Sequence, residues 1–94
     1  MFNKDNSSYL KFWLEYKYPL TVVSDRYGGA YSGSDYTAWP LLFYKVPREI
    51  EGDDVTCSCF WHDADKDIIG FGSTPRKAIN DLVKKIEKRY NNLK

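Results

Sequence analysis

The sequence predicts an α+β domain: an antiparallel sheet of three to four strands, a C-terminal helix packed on one face and an N-terminal helical extension. A strong helix signal near the C-terminus and short β-prone segments separated by turn-forming residues indicate this class. The 94 residues, 43% hydrophobic and 17% aromatic, are enough for one packed core but not for a two-lobed enzyme. We therefore predict a single domain over residues 1–94, with an extension at 1–18 and a sheet-plus-helix core at 19–94.

The extension is predicted to form a helix over residues 8–17. Four aromatic side chains recur at the i, i+3, i+4, i+7 spacing of one helical face: Tyr9, Phe12, Trp13 and Tyr16. Pro19 ends the run. Because aromatic residues also favour strands, a strand in this region is the alternative.

Four segments are predicted to be strands, at residues 20–24, 36–39, 55–61 and 68–71. Pro40 cannot donate to a sheet ladder, so we expect an edge position or a bulge there, before residues 41–44. A short turn or a single helical turn is expected at residues 46–50. The polar residues 62–67 form a turn, so the last two strands should pair as a hairpin.

The final helix is predicted over residues 75–91. Thr74 is a favourable N-cap residue and Pro75 occupies the first helical position. Asp81 and Lys85 form a favourable i,i+4 pair. One apolar stripe should pack on the sheet, and it consists of Ala78, Ile79, Leu82, Val83, Ile86 and Tyr90.

The formal net charge of +1 hides a separation of charge along the chain. Residues 48–67, here called the acidic segment, contain two basic and seven acidic residues, a net charge of −5. Residues 68–94 contain seven basic and two acidic residues, a net charge of +5. One part of the chain therefore suits basic partners and the other suits acidic partners.

Residues 25–36, here called the glycine loop, carry Gly28, Gly29 and Gly33 at positions that predict positive φ or a close backbone approach. Their spacing fits no phosphate-binding motif, so a tight bend between strands is one interpretation. A recognition loop is the other, because its aromatic and charged residues are types enriched at protein–protein hot spots. The predicted partner-binding residues of the glycine loop and the acidic segment are Asp25, Arg26, Tyr27, Tyr31, Asp35, Tyr36, Glu49, Glu51, Asp53, Asp54, Asp63 and Asp65.

No catalytic, metal or cofactor site is predicted. Residues 63–67 imitate the start of a calcium loop but lack its sharp-turn glycine and its bidentate glutamate. Cys57, Cys59 and His62 are three potential zinc ligands whose number and spacing do not fit a structural site, so we predict core cysteines and a turn histidine. With one histidine in the chain, we expect no enzyme, and a hydrolase or ligand-capturing site at the glycine loop and His62 is a minor alternative.

The sequence predicts a cytoplasmic protein. No run approaches the ~18 apolar residues of a membrane span. The first residues lack the apolar stretch of a signal peptide. No membrane partner is therefore expected, and the oligomeric state is left open.

Four stretches carry a family resemblance: VVSDRYGGAYSG at 22–33, TAWP at 37–40, VPREIEGDD at 46–54 and FW at 60–61. Over residues 21–88 the chain resembles a family of small proteins carried by bacteriophages and other mobile elements. The resemblance implies a stoichiometric inhibitor of host defence, the class that includes anti-CRISPR proteins. The implied partner is a host defence protein or a CRISPR effector complex in the host cell.

A second resemblance involves IGFGSTPRKA at residues 69–78, which is similar to the strand-to-helix corner of HicB-type antitoxin domains. It implies a nucleic-acid-binding or antitoxin-like regulator as the alternative function. A solvated lysine face is the simpler interpretation of the same helix. The residues that would contact phosphates are Lys77, Lys84, Lys85, Lys88 and Arg89.

The charge pattern is compatible with the inhibitor hypothesis. An acidic ribbon spanning Glu49 to Asp67 would occupy a nucleic-acid channel lined by lysine and arginine. It would displace DNA or RNA by filling the positive potential that attracts phosphate. Loop residues such as Arg26, Tyr27 and Tyr31 would supply buried anchors at the interface.

Overall fold

A computed structural model describes residues 7–93 and confirms the predicted α+β class. The helices are α1 (Ser7–Tyr16), α2 (Asp54–Asp63) and α3 (Pro75–Leu93). The strands are β1 (Thr21–Ser24), β2 (Tyr36–Trp39) and β3 (Gly70–Gly72), which form one antiparallel sheet in the order β1-β2-β3. Three short 3₁₀ helices complete the described chain, at Phe43–Lys45, Arg48–Glu51 and Lys66–Ile68.

Small residues on one face of the sheet allow α3 to pack closely against it. Val22 pairs with Ala38, and Ala38 pairs with Gly70 across the central strand β2. A Cβ atom at Gly70 would lie 2.6 Å from the Cβ atom of Leu82 and would also overlap the carbonyl oxygen of Ala78. Because glycine has no Cβ, α3 can lie directly over β3.

Aromatic rings cover the opposite face of the sheet. Trp39 and Phe71 alternate with Ala38 and Gly70 along their strands, so they project to the other side. The Trp61 ring of α2 lies 5.8 Å from that of Trp39 and 5.7 Å from that of Phe71, measured between centroids. The sheet is therefore enclosed between α3 and α2.

The prediction of a strand at residues 55–61 is wrong, because this segment forms α2. The Asp53 carboxylate accepts a hydrogen bond from the backbone N–H of Thr56 at 2.9 Å, so it caps the helix. Cys57 and Trp61, one helical turn apart, are both buried, while Val55 is 73% exposed. A cap and burial at i,i+4 spacing outweigh the β-propensity of this stretch.

The predicted hairpin between residues 55–61 and 68–71 is therefore absent from the described chain. β3 pairs with β2 instead, with Phe71 opposite Thr37. The predicted polar turn at residues 62–67 contains the end of α2 and the start of the 3₁₀ helix Lys66–Ile68. β3 is left without a second strand partner because its other possible partner has become a helix on the sheet face.

The N-terminal helix is confirmed, but it buries only part of the aromatic stripe. Leu10 and Trp13 are fully buried, whereas Phe12 and Tyr16 are largely exposed. The indole N–H of Trp13 donates to the carbonyl oxygen of Pro19 at 2.7 Å, which ties α1 to the chain entering β1. Residues 1–6 of the predicted extension lie outside the described residues.

The C-terminal helix follows its sequence signals closely. The hydroxyl of Thr74 accepts from the backbone N–H of Lys77 at 3.2 Å. Asp81 and Lys85 form the expected ion pair at 3.0 Å. The buried positions on α3 are Ala78, Leu82 and Ile86.

The chain leaves the sheet at Pro40. β2 is the central strand, so Pro40 ends it rather than marking an edge, and the chain then turns into the 3₁₀ helix Phe43–Lys45. The single helical turn expected at residues 46–50 is present as Arg48–Glu51. The radius of gyration of 13.0 Å is that of one compact unit, and no helix within residues 7–93 is long and apolar enough to cross a membrane.

Candidate functional site

The glycine loop is organised around the carboxylate of Asp25. One oxygen of this carboxylate accepts from the backbone N–H groups of Tyr27 (2.7 Å) and Gly29 (3.0 Å), and the other accepts from the hydroxyl of Ser32. Gly29 adopts φ +89°, where a side chain would also meet the backbone of Ser34 at 3.0 Å. Asp25 therefore shapes the loop from within rather than presenting its charge to a partner.

Three predicted anchor residues connect the glycine loop to the start of α2. Arg26 donates to the carbonyl oxygen of Glu51, and the Tyr27 hydroxyl donates to that of Gly52 at 2.6 Å. The Tyr31 hydroxyl donates to the Asp54 carboxylate at 2.9 Å. The structure therefore brings the predicted loop residues and the acidic segment together, but it uses the polar atoms of the loop residues to hold the segment in place.

The phenol pKa values follow from these contacts. Two effects raise the pKa of Tyr31 above its ordinary value: the hydrogen bond to Asp54, which is the larger, and loss of solvation. Loss of solvation raises the pKa of Tyr27. Both phenols therefore stay neutral near pH 7 and act as hydrogen-bond donors.

Some carboxylates of the acidic segment stabilise its own backbone. The hydrogen bond from the Thr56 N–H lowers the pKa of Asp53, because it favours the charged form. Asp65 accepts from the backbone N–H of Asp67 at 3.1 Å and caps the 3₁₀ helix Lys66–Ile68. Asp53 and Asp65 therefore have structural roles in addition to their charge.

Three other carboxylates are exposed and, within residues 7–93, make neither an ion pair with α3 nor a hydrogen bond to the glycine loop or the backbone: Glu49, Glu51 and Asp63. Glu49 and Asp63 line the same open groove along α2, whose volume is about 570 Å³. Asp63 is 85% exposed and lies 3.1 Å from the Nδ1 atom of His62. We call these three exposed residues the acidic face (Glu49, Glu51 and Asp63).

α3 contacts the acidic segment through Arg89 and Lys85. Arg89 of α3 lies 3.8 Å from the carboxylate of Asp67. Lys85 pairs with Asp81 of its own helix and donates to the carbonyl oxygens of Lys66 and Ile69. The acidic face remains outside this network.

Lys85 therefore has a structural role that sequence reasoning did not anticipate. Its ammonium also lies 4.6 Å from the centroid of the Phe71 ring, so it ties β3 to α3. Lys85 and Arg89 are engaged within the chain, which leaves fewer of the predicted phosphate contacts available. The exposed residues of that set are Lys77, Lys84 and Lys88.

The remaining predicted residues are dispersed. Asp35 is exposed and lines a polar hollow of about 230 Å³ beside Gly33 and Ser73. Tyr36 begins β2 and is half-buried. His62 lies about 12 Å along α2 from the end that meets the glycine loop, given 1.5 Å per helical residue, so the two do not form one site.

The two cysteines lie on different sides of α2. Cys57 is buried and its thiol contacts the carbonyl oxygen of Ile50 at 3.6 Å, whereas Cys59 is exposed. Burial raises the pKa of Cys57. The prediction of core cysteines is thus confirmed for Cys57 and wrong for Cys59, because residues two apart in a helix point to different sides. His62 lies in the last turn of α2 and not in a turn between strands. Among residues 7–93, no group of three or more His, Cys, Asp or Glu side chains is placed to hold a metal ion.

Sequence reasoning missed the apolar residues of the groove. Val55, Cys59 and Phe60 line it together with Glu49 and Asp63. Because these residues were predicted to lie in a strand, their common position on one side of a helix could not be predicted. The signal that could have revealed it is Asp53 followed by Thr56, which is an N-cap pattern.

Comparison with protein-family models, with curated proteins and with solved structures returned no significant match. Both family resemblances of the sequence therefore stay predictions. The interpretation of the site depends on its geometry and charge.

Proposed function

We propose that the protein is a non-catalytic inhibitor that binds a basic nucleic-acid-binding surface through its acidic face. Following the phage-type resemblance, the target is a host nucleoprotein defence effector such as a CRISPR complex. Binding would block access of DNA or RNA to the effector. The observation that supports this proposal most directly is that Glu49, Glu51 and Asp63 are exposed and are not paired with α3.

The physical basis is electrostatic complementarity. A surface that binds phosphates is lined with lysine and arginine and creates a positive potential. Carboxylates held together on one protein surface are attracted to that potential, which speeds association and makes it dependent on salt. An acidic protein therefore competes with nucleic acid for the same groove.

Rigidity of the acidic segment supports the same proposal. Arg26, Tyr27 and Tyr31 fasten the start of α2 to the glycine loop, and Trp61 fastens α2 to the sheet. A segment that is already ordered loses less conformational entropy when it binds. The acidic face can thus bind without refolding.

The test measures DNA binding by guide-loaded CRISPR effector complexes in a mobility-shift assay, with and without this protein. We expect the protein to reduce the DNA-bound fraction, and we expect DNA added first to protect the effector. A Glu49→Lys/Asp63→Lys variant should inhibit at least tenfold less strongly, with a weaker dependence on salt. Neither carboxylate accepts a hydrogen bond that holds the backbone, so the fold should be retained.

The matched control is Glu15→Lys/Glu87→Lys, which changes the net charge equally at exposed positions on α1 and α3. It should inhibit like the unmodified protein. Equal losses in both variants would show that net charge alone matters and would contradict binding through the acidic face. If the protein inhibits none of the CRISPR effector complexes tested, the proposed function is contradicted.

A further inference from the structure

An apolar cavity lies next to the acidic face. It is about 220 Å³ in volume and lies between the end of β2, the chain that follows it and the C-terminal end of α2. Its apolar lining includes Trp39, Pro40, Leu41, Pro47, Phe60 and Ile69. Concave, mostly apolar hollows are the usual form of binding sites on proteins.

The size of the cavity indicates what it can hold. Apolar cavities of about 150 Å³ are large enough to bind benzene. At about 220 Å³ this cavity accommodates one aromatic ring but lies below the roughly 300–1,000 Å³ typical of small-molecule sites. One side chain of a partner fits it better than a whole metabolite does.

The cavity adjoins the groove along α2. Phe60 and Ala64 line both spaces, so a chain that inserts a ring into the cavity has the groove directly beside it. Glu49 and Asp63 line the groove, and Asp65 lines the cavity. The apolar cavity and these acidic residues are therefore parts of one surface.

The charges around this surface select the flanking residues of the occupant. Glu49 and Asp63 line the groove, and among the described residues Lys45 is the one cation that lines the cavity. A lysine or arginine beside the inserted ring would therefore be attracted, and a carboxylate there would be repelled.

We infer that the cavity and groove bind a basic peptide segment of a protein partner that inserts an aromatic side chain between lysine or arginine residues. The ring fills the cavity against Trp39 and Phe60, and the neighbouring cations lie over Glu49 and Asp63. This inference rests on the proposed function, because it describes how the acidic face would engage its target. It gives the interaction a buried anchor, since charge complementarity governs association rate more than affinity.

The experiment titrates the uniformly ¹⁵N-labelled full chain with synthetic peptides and follows backbone amide chemical shifts. The probes share a Gly/Ser frame and differ in the central tripeptide: Lys-Trp-Lys, Lys-Ala-Lys or Glu-Trp-Glu; N-acetyltryptophanamide serves as a free aromatic probe. We expect Lys-Trp-Lys to shift signals of Leu41, Phe60, Ala64 and Ile69, with a Kd at least tenfold lower than those of the other probes.

Three of the four probes have an outcome that overturns part of the inference. No shifts at these residues with Lys-Trp-Lys would exclude the cavity as an aromatic anchor site. Equal binding of Glu-Trp-Glu would exclude the role of the carboxylates. Equal binding of N-acetyltryptophanamide would identify a small-molecule pocket instead of a peptide site.

Variants separate this inference from the proposed function. Glu49→Gln/Asp63→Asn should raise the Kd of the Lys-Trp-Lys peptide at least threefold. Ala64→Phe should abolish binding of this peptide, because the larger side chain fills the space between the groove and the cavity. The control Ala30→Phe, at an exposed position in the glycine loop, should bind the Lys-Trp-Lys peptide like the unmodified protein.

Inhibition of the effector distinguishes the two proposals. If Ala64→Phe still blocks DNA binding by the effector as well as the unmodified protein does, the cavity inference fails while the proposed function stands. If Lys-Trp-Lys binds at the cavity but no effector is inhibited, only the proposed function fails.

Discussion

At the scale of single residues, short acidic side chains determine the backbone around the candidate site. Asp25 closes the glycine loop, and Asp53 begins α2. Both use carboxylate oxygens to accept hydrogen bonds from backbone N–H groups that would otherwise lack partners. Part of the negative charge that the sequence assigned to a partner surface is therefore needed for folding.

The role of Asp53 predicts a dependence of stability on pH. Its pKa in the folded protein is lowered from an ordinary value of 3.8, so its stabilising effect is present above that pH. The effect is lost as the pH falls through the lowered pKa. Thermal unfolding followed by circular dichroism should show Asp53→Ala less stable than the unmodified protein at neutral pH, with a difference that shrinks in the acid range.

Asp53→Asn is the control, because asparagine caps helices about as well as aspartate but does not titrate. It should remain close to the unmodified protein at neutral pH. A destabilisation by Asp53→Ala that is the same at every pH would show that the charged carboxylate is not what caps α2.

At the scale of elements, α2 shows why local propensity was insufficient. The stretch from Val55 to Trp61 contains β-branched and aromatic residues that favour a strand. The aromatic side chains reach the sheet from a helix instead, because Trp61 packs on Trp39 and Phe71. An interaction between residues so far apart in the chain cannot be read from a local window.

The first helix gives a prediction about the core. Trp13 is fully buried and hydrogen-bonded to Pro19, so Trp13→Ala removes both packing and a hydrogen bond. The free energy of unfolding should fall by about 3–5 kcal/mol, the range typical of large aromatic truncations. Chemical denaturation monitored by fluorescence or circular dichroism measures this change.

The neighbouring substitution Phe12→Ala provides the comparison, since Phe12 is 49% exposed. It should lower the free energy of unfolding by no more than about 1 kcal/mol, as expected for a substitution at the surface. If Phe12→Ala were the more damaging of the two, the buried face of α1 would be centred on Phe12 and not on Leu10 and Trp13.

At the scale of the whole molecule, the separation of charge along the sequence is only partly preserved as separate surfaces. Arg89 pairs with Asp67, and Lys85 is held by Asp81 and by backbone carbonyl groups. Four of the seven acidic residues of the acidic segment are engaged within the chain, namely Asp53, Asp54, Asp65 and Asp67. Two of the five predicted phosphate contacts are engaged in the same way, so each set keeps three exposed charged residues.

The inhibitor hypothesis predicts that the protein itself interacts only weakly with nucleic acid. We expect no retention of DNA or RNA in a mobility-shift assay at low ionic strength, where nonspecific phosphate binding is strongest. A complex that forms at low salt, weakens as salt is raised and disappears in Lys84→Glu/Lys88→Glu would instead support the alternative function.

Features that depend on near neighbours in the chain could be predicted from the amino-acid sequence. Thr74 and Pro75 begin α3, the glycines of the loop adopt positive φ, and Asp81 pairs with Lys85. Each of these depends on residues within about one turn, so a short window contains the necessary information.

Only the tertiary structure decided which groups remain available to a partner. It made α2 a helix, buried Leu10 and Trp13, used Arg26 and Tyr31 inside the chain, and opened an apolar cavity beside the acidic face. Burial and pairing depend on segments that meet in space after folding, and their free energies exceed the small local preferences of the chain.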